Sequence, residues 1–278
     1  MKSIHDICAP AKLNLFLHIV GRRPDGYHLL ESVFMLIDWC DTLHVEARHD
    51  GEISREDLTT PLPPNDLIVR AARALQQASG TRQGAHIAID KQIPAQAGMG
   101  GGSSDAASTL LALNRLWGLN LGLDKLMDIG LKLGADVPFF LGGYNAWVTG
   151  IGEIMQPVDV PKARFLVIKP TQGLETHRIF SHPDLKRDTK PAILSGFAAN
   201  TFDHGRNDLQ PVAQQLCPPI SQALDWLKAS GLQGRMTGSG SAVFARTLHD
   251  IETHSAPESF QVKLCSNLSA HPLQGWAV

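Results

Sequence analysis

The stretch PAQAGMGGGSSDAA, residues 94–107, places glycine at 98, 100, 101 and 102 and follows it with Ser103, Ser104 and Asp105. Glycine gives up backbone order, so such a run calls for a physical reason. A capped surface loop is one. The other is a backbone cradle for an anion, because a helix start presents unpaired N–H groups and partial positive charge. Small or apolar residues at 106, 107, 110, 111, 113 and 117 follow at helical spacing. The loop therefore runs into a helix, and Ser103, Ser104 and Asp105 suit its cap or first turn.

Familiar phosphate loops do not fit. A Walker A loop needs GxxxxGK[ST], and no lysine follows these glycines; GxGxxG fails at Ser103 when counted from Gly98. No HRD catalytic loop occurs, which argues against a protein-kinase fold.

The 278 residues suit one large or two modest domains, and the 43% hydrophobic fraction supports a sizeable core. Net charge is −2, which gives no general attraction to nucleic acid or an anionic membrane. An anionic substrate would need a local positive site. The four cysteines show no CxxC pair and read as reduced thiols of a cytoplasmic protein. No signal peptide, membrane-length apolar run or repeat is visible.

KLNLFLHIVG (12–21) reads as a strand turned by Pro24-Asp25-Gly26 into the apolar run HLLESVFMLI, and Thr42–Arg48 reads as a further alternating strand. LIVRAARALQQAS is an amphipathic helix, and GAHIAIDKQI a strand ended by Pro94. LDKLMDIGLKLG reads as a helix stopping at Gly134, ADVPFFLGG as a loop with a short element, AWVTGIGEI and ARFLVIKP as strands. SHPDLKRDTKP (181–191) reads as a mobile surface loop, ISQALDWLKAS as a helix, and GLQGRMTGSGSAVFAR as a second glycine turn entering a strand. HDIETH (249–254) lacks HExxH spacing and reads as surface. Strands and helices alternate irregularly, so the fold class is α+β with two lobes.

The loop, with PAKLNLFLHIVGRRPDGYH before it and GRMTGSGSAVFA (234–245) after it, resembles the three motifs of the GHMP kinases, named for galacto-, homoserine, mevalonate and phosphomevalonate kinases. The resemblance runs in order through nearly the whole chain. It implies a ribosomal-protein-S5-like lobe over 1–155, a ferredoxin-like lobe over 156–264, a tail (265–278) packed back on the first, and a cleft between them. NDLIVRAA, LGADVPFFL and the DGYH segment resemble the branch that phosphorylates the 2-hydroxyl of a cytidine-diphosphate-linked methylerythritol in non-mevalonate isoprenoid synthesis. Other small alcohols, such as mevalonate or homoserine, and a non-catalytic nucleotide- or RNA-binding relative stand as alternatives.

The same resemblance assigns roles. Read alone, Asp136 suits a turn ahead of VPFF, and Lys12 an edge lysine with a snorkelling stem. The resemblance makes Asp136 the general base and Lys12 its partner, which requires the two side chains to meet. Asn14, two residues on, shares the face of Lys12 and would hold the acceptor. Tyr27 would stack on the cytosine, His28 would bond its edge, and Phe180 would close the other face with Thr176 nearby. Gly238, Ser239 and Gly240 would approach the acceptor. ATP would lie along Pro94, Gly98, Met99, Gly100, Gly101, Gly102, Ser103 and Ser104, with Asn65, Asp66 and Lys91 toward the adenosine. Mg²⁺ is expected with ATP, without a carboxylate cage of its own. The partners expected are these small molecules, with no nucleic acid or membrane, in a monomer or weak homodimer.

Overall fold

The structure is a computed structural model and describes residues 2–249, 251 and 255–277. Most of the HDIETH segment lies outside the described residues. Strands β1 (Ser3–Arg22) and β2 (His28–Arg48) form one long antiparallel hairpin. Then follow β3 (Ile53–Asp57), α1 (Leu67–Ser79), β4 (Gly84–Asp90), α2 (Gly101–Leu116), α3 (Leu123–Leu133), α4 (Val137–Gly142), β5 (Ala146–Thr149) and β6 (Ile154–Pro157). The second half contains β7 (Arg164–Pro170), α5 (Thr176–Phe180), α6 (Leu194–Ala199), α7 (Gln210–Leu216), α8 (Pro219–Ala229), β8 (Arg235–Met236), β9 (Val243–Thr247) and β10 (Phe260–Ser266).

The two runs read separately at 28–37 and 42–48 are a single strand. The pairing slips between Pro10↔Cys40 and Ala11↔Ile37. Phe34 and Leu36 before the slip, and Leu43 and Val45 after it, all enter the same core. A bulge reverses which residue parity points inward, and that breaks the alternation a sequence reader follows. β4 stops at Asp90, short of Pro94, because the Asp41 carboxylate takes the N–H groups of Gln92 (2.6 Å) and Ile93 (2.7 Å) out of the ladder.

The first sheet runs β3-β4-β2-β5-β6, with β1 on the other side of β2. Between β5 and β4 the edge of β2 has a gap, and the end of the chain fills it. Leu36 donates to Asn145 Oδ1 (2.8 Å) and accepts from Leu268 N (2.9 Å). Leu273 then sits in the core under α2 to α4. The second sheet, β10-β7-β9-β8, is antiparallel throughout. Leu13, Leu15, Met35 and Trp39 of the hairpin pack against Phe165, Val167 and Phe244 of this sheet. Each such side chain contributes about 1.5–3 kcal/mol by leaving water, so this shared layer fixes one sheet on the other. Leu166, Ile168 and Val243 on the opposite face pack with Val212, Ile220 and Leu227 of α7 and α8.

Two expectations are corrected. Cys8 and Cys40 are joined as a disulfide across β1 and β2 (Cα–Cα 5.8 Å), while Cys217 and Cys265 are free and buried. Their closeness comes from strand register, with Cys8 opposite Thr42 and Cys40 opposite Pro10. The 181–191 segment is anchored: Leu185 and Thr189 are buried, and Thr189 N donates to Ile19 O at 3.0 Å. Arg187 turns inward to the carbonyls of Phe180, His182 and Leu185, while Asp184, Lys186, Asp188 and Lys190 stay exposed.

His271 pins the tail. Its Nδ1 accepts from Leu273 N (3.0 Å), its Nε2 is buried without a partner, and burial pushes its pKa down to about 4. The folded state therefore binds this proton less readily than the unfolded chain, whose histidine titrates near 6.5. This contribution is full above pH 6.5 and is lost as pH falls toward 4, amounting to about 3 kcal/mol. Urea unfolding of wild type and His271→Asn, in which an amide oxygen can replace Nδ1, is expected to show a smaller loss in the variant between pH 7 and 4.5.

Candidate active site

The glycine loop and the second glycine turn lie back to back. A Cβ on Gly98 (φ +72°) would sit 2.4 Å from Thr237 O, and one on Gly238 would sit 2.6 Å from Gly98 O. Only a hydrogen fits between them. Ser241 N and Ala242 N donate to Gln96 O (3.0 Å) and Ala97 O (3.2 Å). β1 holds both turns through Lys12 N on Met99 O (3.0 Å) and Asn14 N on Thr237 Oγ1 (2.9 Å).

Helix α2 begins at Gly101, with Gly100 in a left-handed conformation at its cap. Of the cap or first-turn places expected for them, Ser103 and Ser104 take the first turn, and Ser104 and Asp105 lie buried. Gly101, Gly102 and Ser103 open on a cleft of about 1020 Å³, which Lys12, Asn14, Asp136, Thr176 and Phe180 also line. First-turn amides and the positive end of a long helix there favour an anion.

Lys12 and Asp136 meet in this cleft, with Nζ 3.6 Å from Oδ2. Lys12 is 4% exposed and Asp136 32%, so the carboxylate is the reachable member. Lys12 Nζ also donates to Asn14 Oδ1 (2.5 Å) and lies 4.2 Å from the Phe34 ring centroid. Asn14 Nδ2 in turn donates to Ser32 Oγ (2.9 Å), so its amide orientation is determined. Burial lowers the Lys12 pKa, opposed by the Asp136 charge and hydrogen bond. Asp136 stands at the head of α4, after the Gly134 helix stop, and makes no side-chain cap bond there.

The other expected residues divide. Thr176 Oγ1 and Ser239 Oγ are 2.7 Å apart and line the cleft with Phe180, Gly238 and Gly240. Pro94 and Met99 also line it. The Phe180 ring packs on the half-buried His28, with centroids 5.1 Å apart, and His28 itself is not among the residues lining the cleft. Tyr27 is 60% exposed beyond the cleft lining, and among the described residues no ring contact joins it to Phe180. Its backbone closes the hairpin turn through Arg23 N on Tyr27 O (2.7 Å), which carries the side chain outward. Ser104 is fully buried and does not line the cleft.

At the adenosine end, Asn65 is exposed outside the cleft lining. Asp66 caps α1 through Val69 N (3.1 Å) and pairs with Arg55 (2.6 Å), which accounts for it structurally. Lys91 lines the cleft but is tied to Asp41 and to Asp105 (2.7 Å). Burial opposes its charge, yet the two carboxylates raise its pKa. Burial, reinforced by Asp41, pushes Asp105 up to about 8 against the pull of Lys91.

Sequence reading passed over Thr237, Ser32, Asn207, Asp41 and Arg187. Asn207 Nδ2 donates to the carbonyls of Met236 and Gly238 at 2.8 Å and shapes the second glycine turn. No local pattern marks these residues. Thr237 alone had a signal, lying inside the TGSGS turn.

Residues 66–144 match the GHMP kinases N terminal domain and residues 190–270 the GHMP kinases C terminal family. The homoserine kinase of Cytophaga hutchinsonii shares the fold, with a TM-score of 0.70 at 14% identity over 98% of this chain and 96% of that one. Fold and motifs together define a small-molecule kinase of the GHMP class, with ATP as co-substrate. A 4-diphosphocytidyl-2-C-methyl-D-erythritol kinase of Albidiferax ferrireducens is 72% identical over 100% of this chain and 97% of its own length. A crystal structure of 4-(cytidine 5'-diphospho)-2C-methyl-D-erythritol kinase aligns with a TM-score of 0.80 at 32% identity, covering 94% of this chain and 98% of that one. The chain belongs to the 4-diphosphocytidyl-2-C-methyl-D-erythritol kinase family within the GHMP kinases.

The contact between the glycine turns predicts a contrast. Gly98→Ala adds a backbone clash to a left-handed φ, whereas Gly118→Ala (φ +64°) meets nothing within 4 Å. Gly118→Ala is expected to cost about 1 kcal/mol, and Gly98→Ala more than about 2 kcal/mol. Denaturant midpoints of the two variants check this ordering.

Proposed function

We propose that this enzyme transfers the γ-phosphoryl group of ATP to the 2-hydroxyl of 4-diphosphocytidyl-2-C-methyl-D-erythritol, a step of non-mevalonate isoprenoid synthesis in the cytoplasm. The observation that carries the chemistry is the 3.6 Å approach of Lys12 to Asp136 in the cleft entered by the start of α2. The relatives' names support the substrate.

In this reading Asp136 Oδ2 accepts the hydroxyl proton as the acceptor oxygen bonds to the γ-phosphorus and the bond to the β-phosphate oxygen breaks. Lys12 orients Asp136 and offsets charge building on the transferred group. Asn14, anchored on Ser32, orients the acceptor. The amides of Gly101, Gly102 and Ser103 hold phosphate oxygens. Thr176 and Ser239 contact the polyol or its diphosphate, and His28 and Phe180 hold the base, with Tyr27 moving in from the hairpin tip. Lys91 and Asp66 shape the adenosine end through their ion pairs.

Mg²⁺ belongs to this reading. Among the described residues no group of three His, Cys, Asp or Glu could hold a metal by itself. The donors present, the Asp136 carboxylate and the Ser103 hydroxyl beside the amides, fit a cation carried chiefly by phosphate oxygens. Bound there, it would neutralise phosphate charge. All proposed site residues come from one chain, divided into a lobe of residues 1–155 completed by 265–278 and a lobe of 156–264.

ADP release measured with MgATP across cytidylated methylerythritol, mevalonate and homoserine tests the acceptor. Turnover confined to the last two would refute the assignment. Asp136→Asn is expected to lower kcat by about 10²- to 10⁴-fold with folding intact. Lys12 titrates below its ordinary 10.5 and acts in its charged form, so kcat should fall as pH rises through that lowered value. Lys12→Arg should displace this alkaline limb upward in a pH–rate profile, because guanidinium stays charged.

A further inference from the structure

Arg187 reaches from the anchored 181–191 segment to the first residue of β2. Its Nε donates to His28 Nε2 at 3.0 Å. Its Nη1 donates to Leu185 O (2.8 Å), and its Nη2 to Phe180 O (3.2 Å) and His182 O (2.8 Å). A guanidinium has donors only and does not deprotonate in proteins. His28 Nε2 must therefore present its lone pair, which confines the proton of the neutral ring to Nδ1.

We infer that Arg187 is a positioning residue that fixes His28 as an Nδ1–H donor and thereby selects cytosine over uracil. N3 of cytosine is an acceptor and satisfies that donor. N3 of uracil carries a hydrogen and opposes it. The inference rests on the reading of His28 as the group that bonds the base.

The surroundings keep the ring in that state. Arg22 from β1 and Arg187 from the 181–191 segment are the charged groups acting on it, and the Phe180 ring packs against it. Burial first, then these two positive charges, lowers its pKa, so the ring is neutral at pH 7 and above. The same guanidinium binds Phe180 O, so one side chain holds both the ring-stacking residue and the base-bonding residue. Arginine geometry matters here: Nε faces the imidazole while the fork spans the carbonyls, which one ammonium cannot reproduce.

The test has two arms on the full chain. A ¹⁵N long-range imidazole spectrum of ligand-free enzyme reports the His28 tautomer in wild type, Arg187→Met and Arg187→Lys. Steady-state kinetics compare cytidylated and uridylated acceptors. Wild type should show Nδ1–H, and Arg187→Met should shift toward Nε2–H. Its KM for the cytidylated acceptor should rise about tenfold or more, with kcat within about threefold, and its preference for cytosine should fall about tenfold. Arg187→Lys should retain part of both properties. An Nε2–H tautomer in wild type overturns the inference, and this needs no variant to fold. An unchanged tautomer in Arg187→Met overturns it, as does an equal loss for both acceptors, which would report only a loosened segment. A wild-type enzyme with the Nδ1–H tautomer that ignores cytidylated alcohols would instead overturn the substrate reading, and with it the selection. The spectrum separates those failures because it is recorded without substrate.

Discussion

Both glycine turns hang on two residues of one strand. Lys12 N–H holds the first through Met99 O, and Asn14 N–H holds the second through Thr237 Oγ1. The residues between and beside them, Leu13 and Leu15, face the opposite way into the layer shared with the second sheet. Strand alternation thus does two things at once. One face of β1 packs the two sheets together, and the other presents the ammonium and amide to the cleft. A shift of one residue would turn the amide into the apolar layer and leucine toward the cleft.

Two lysines, Lys12 buried and Lys91 partly so, border the same cleft, and their partners separate their uses. Lys91 lies between Asp41 and Asp105, so its charge is already answered. Asp41 also caps Gln92 and Ile93, which makes the cluster a brace for the chain entering the glycine loop. Lys12 has one carboxylate at 3.6 Å, and that carboxylate is partly open to the cleft. Burying an ammonium costs several kcal/mol unless it is well compensated. Lys12 is compensated by an ion pair, an amide oxygen and an aromatic face, an arrangement that leaves room for a further negative group. The lowered pKa of one and the raised pKa of the other express this difference.

Much of the fold was legible. α1 appears as read, with Asp66 at its start and a left-handed Gly80 at its end, because capping chemistry is local. The strand at β7 and the helix stop at Gly134 were equally local. The long β2 was not, since its bulge hides continuity from any periodic reading. Ser103 and Ser104 stand in the first turn of α2 as read, but the cap itself is the left-handed Gly100, and Asp105 lies buried further in. Lys12, Asn14, Asp136, Thr176 and Ser239 could be named only by likeness to a family, and the structure brings them to one cleft. Tyr27, His28 and Asn65 carry the same motif signal yet are not among the residues lining the cleft.

Residue order alone determined the elements whose causes lie within a few positions: the glycine turns, the amphipathic helices, the breaks at glycine and proline. It also carried the family, because motifs in series need no coordinates to be compared. Tertiary structure decided which lysine meets the cleft's partly open carboxylate, that Cys8 meets Cys40, and that Arg187 addresses His28. Those outcomes depend on register between strands and on partners far away in the chain. Hydrogen bonds and ion pairs act over a few ångströms of space, whatever the separation in sequence.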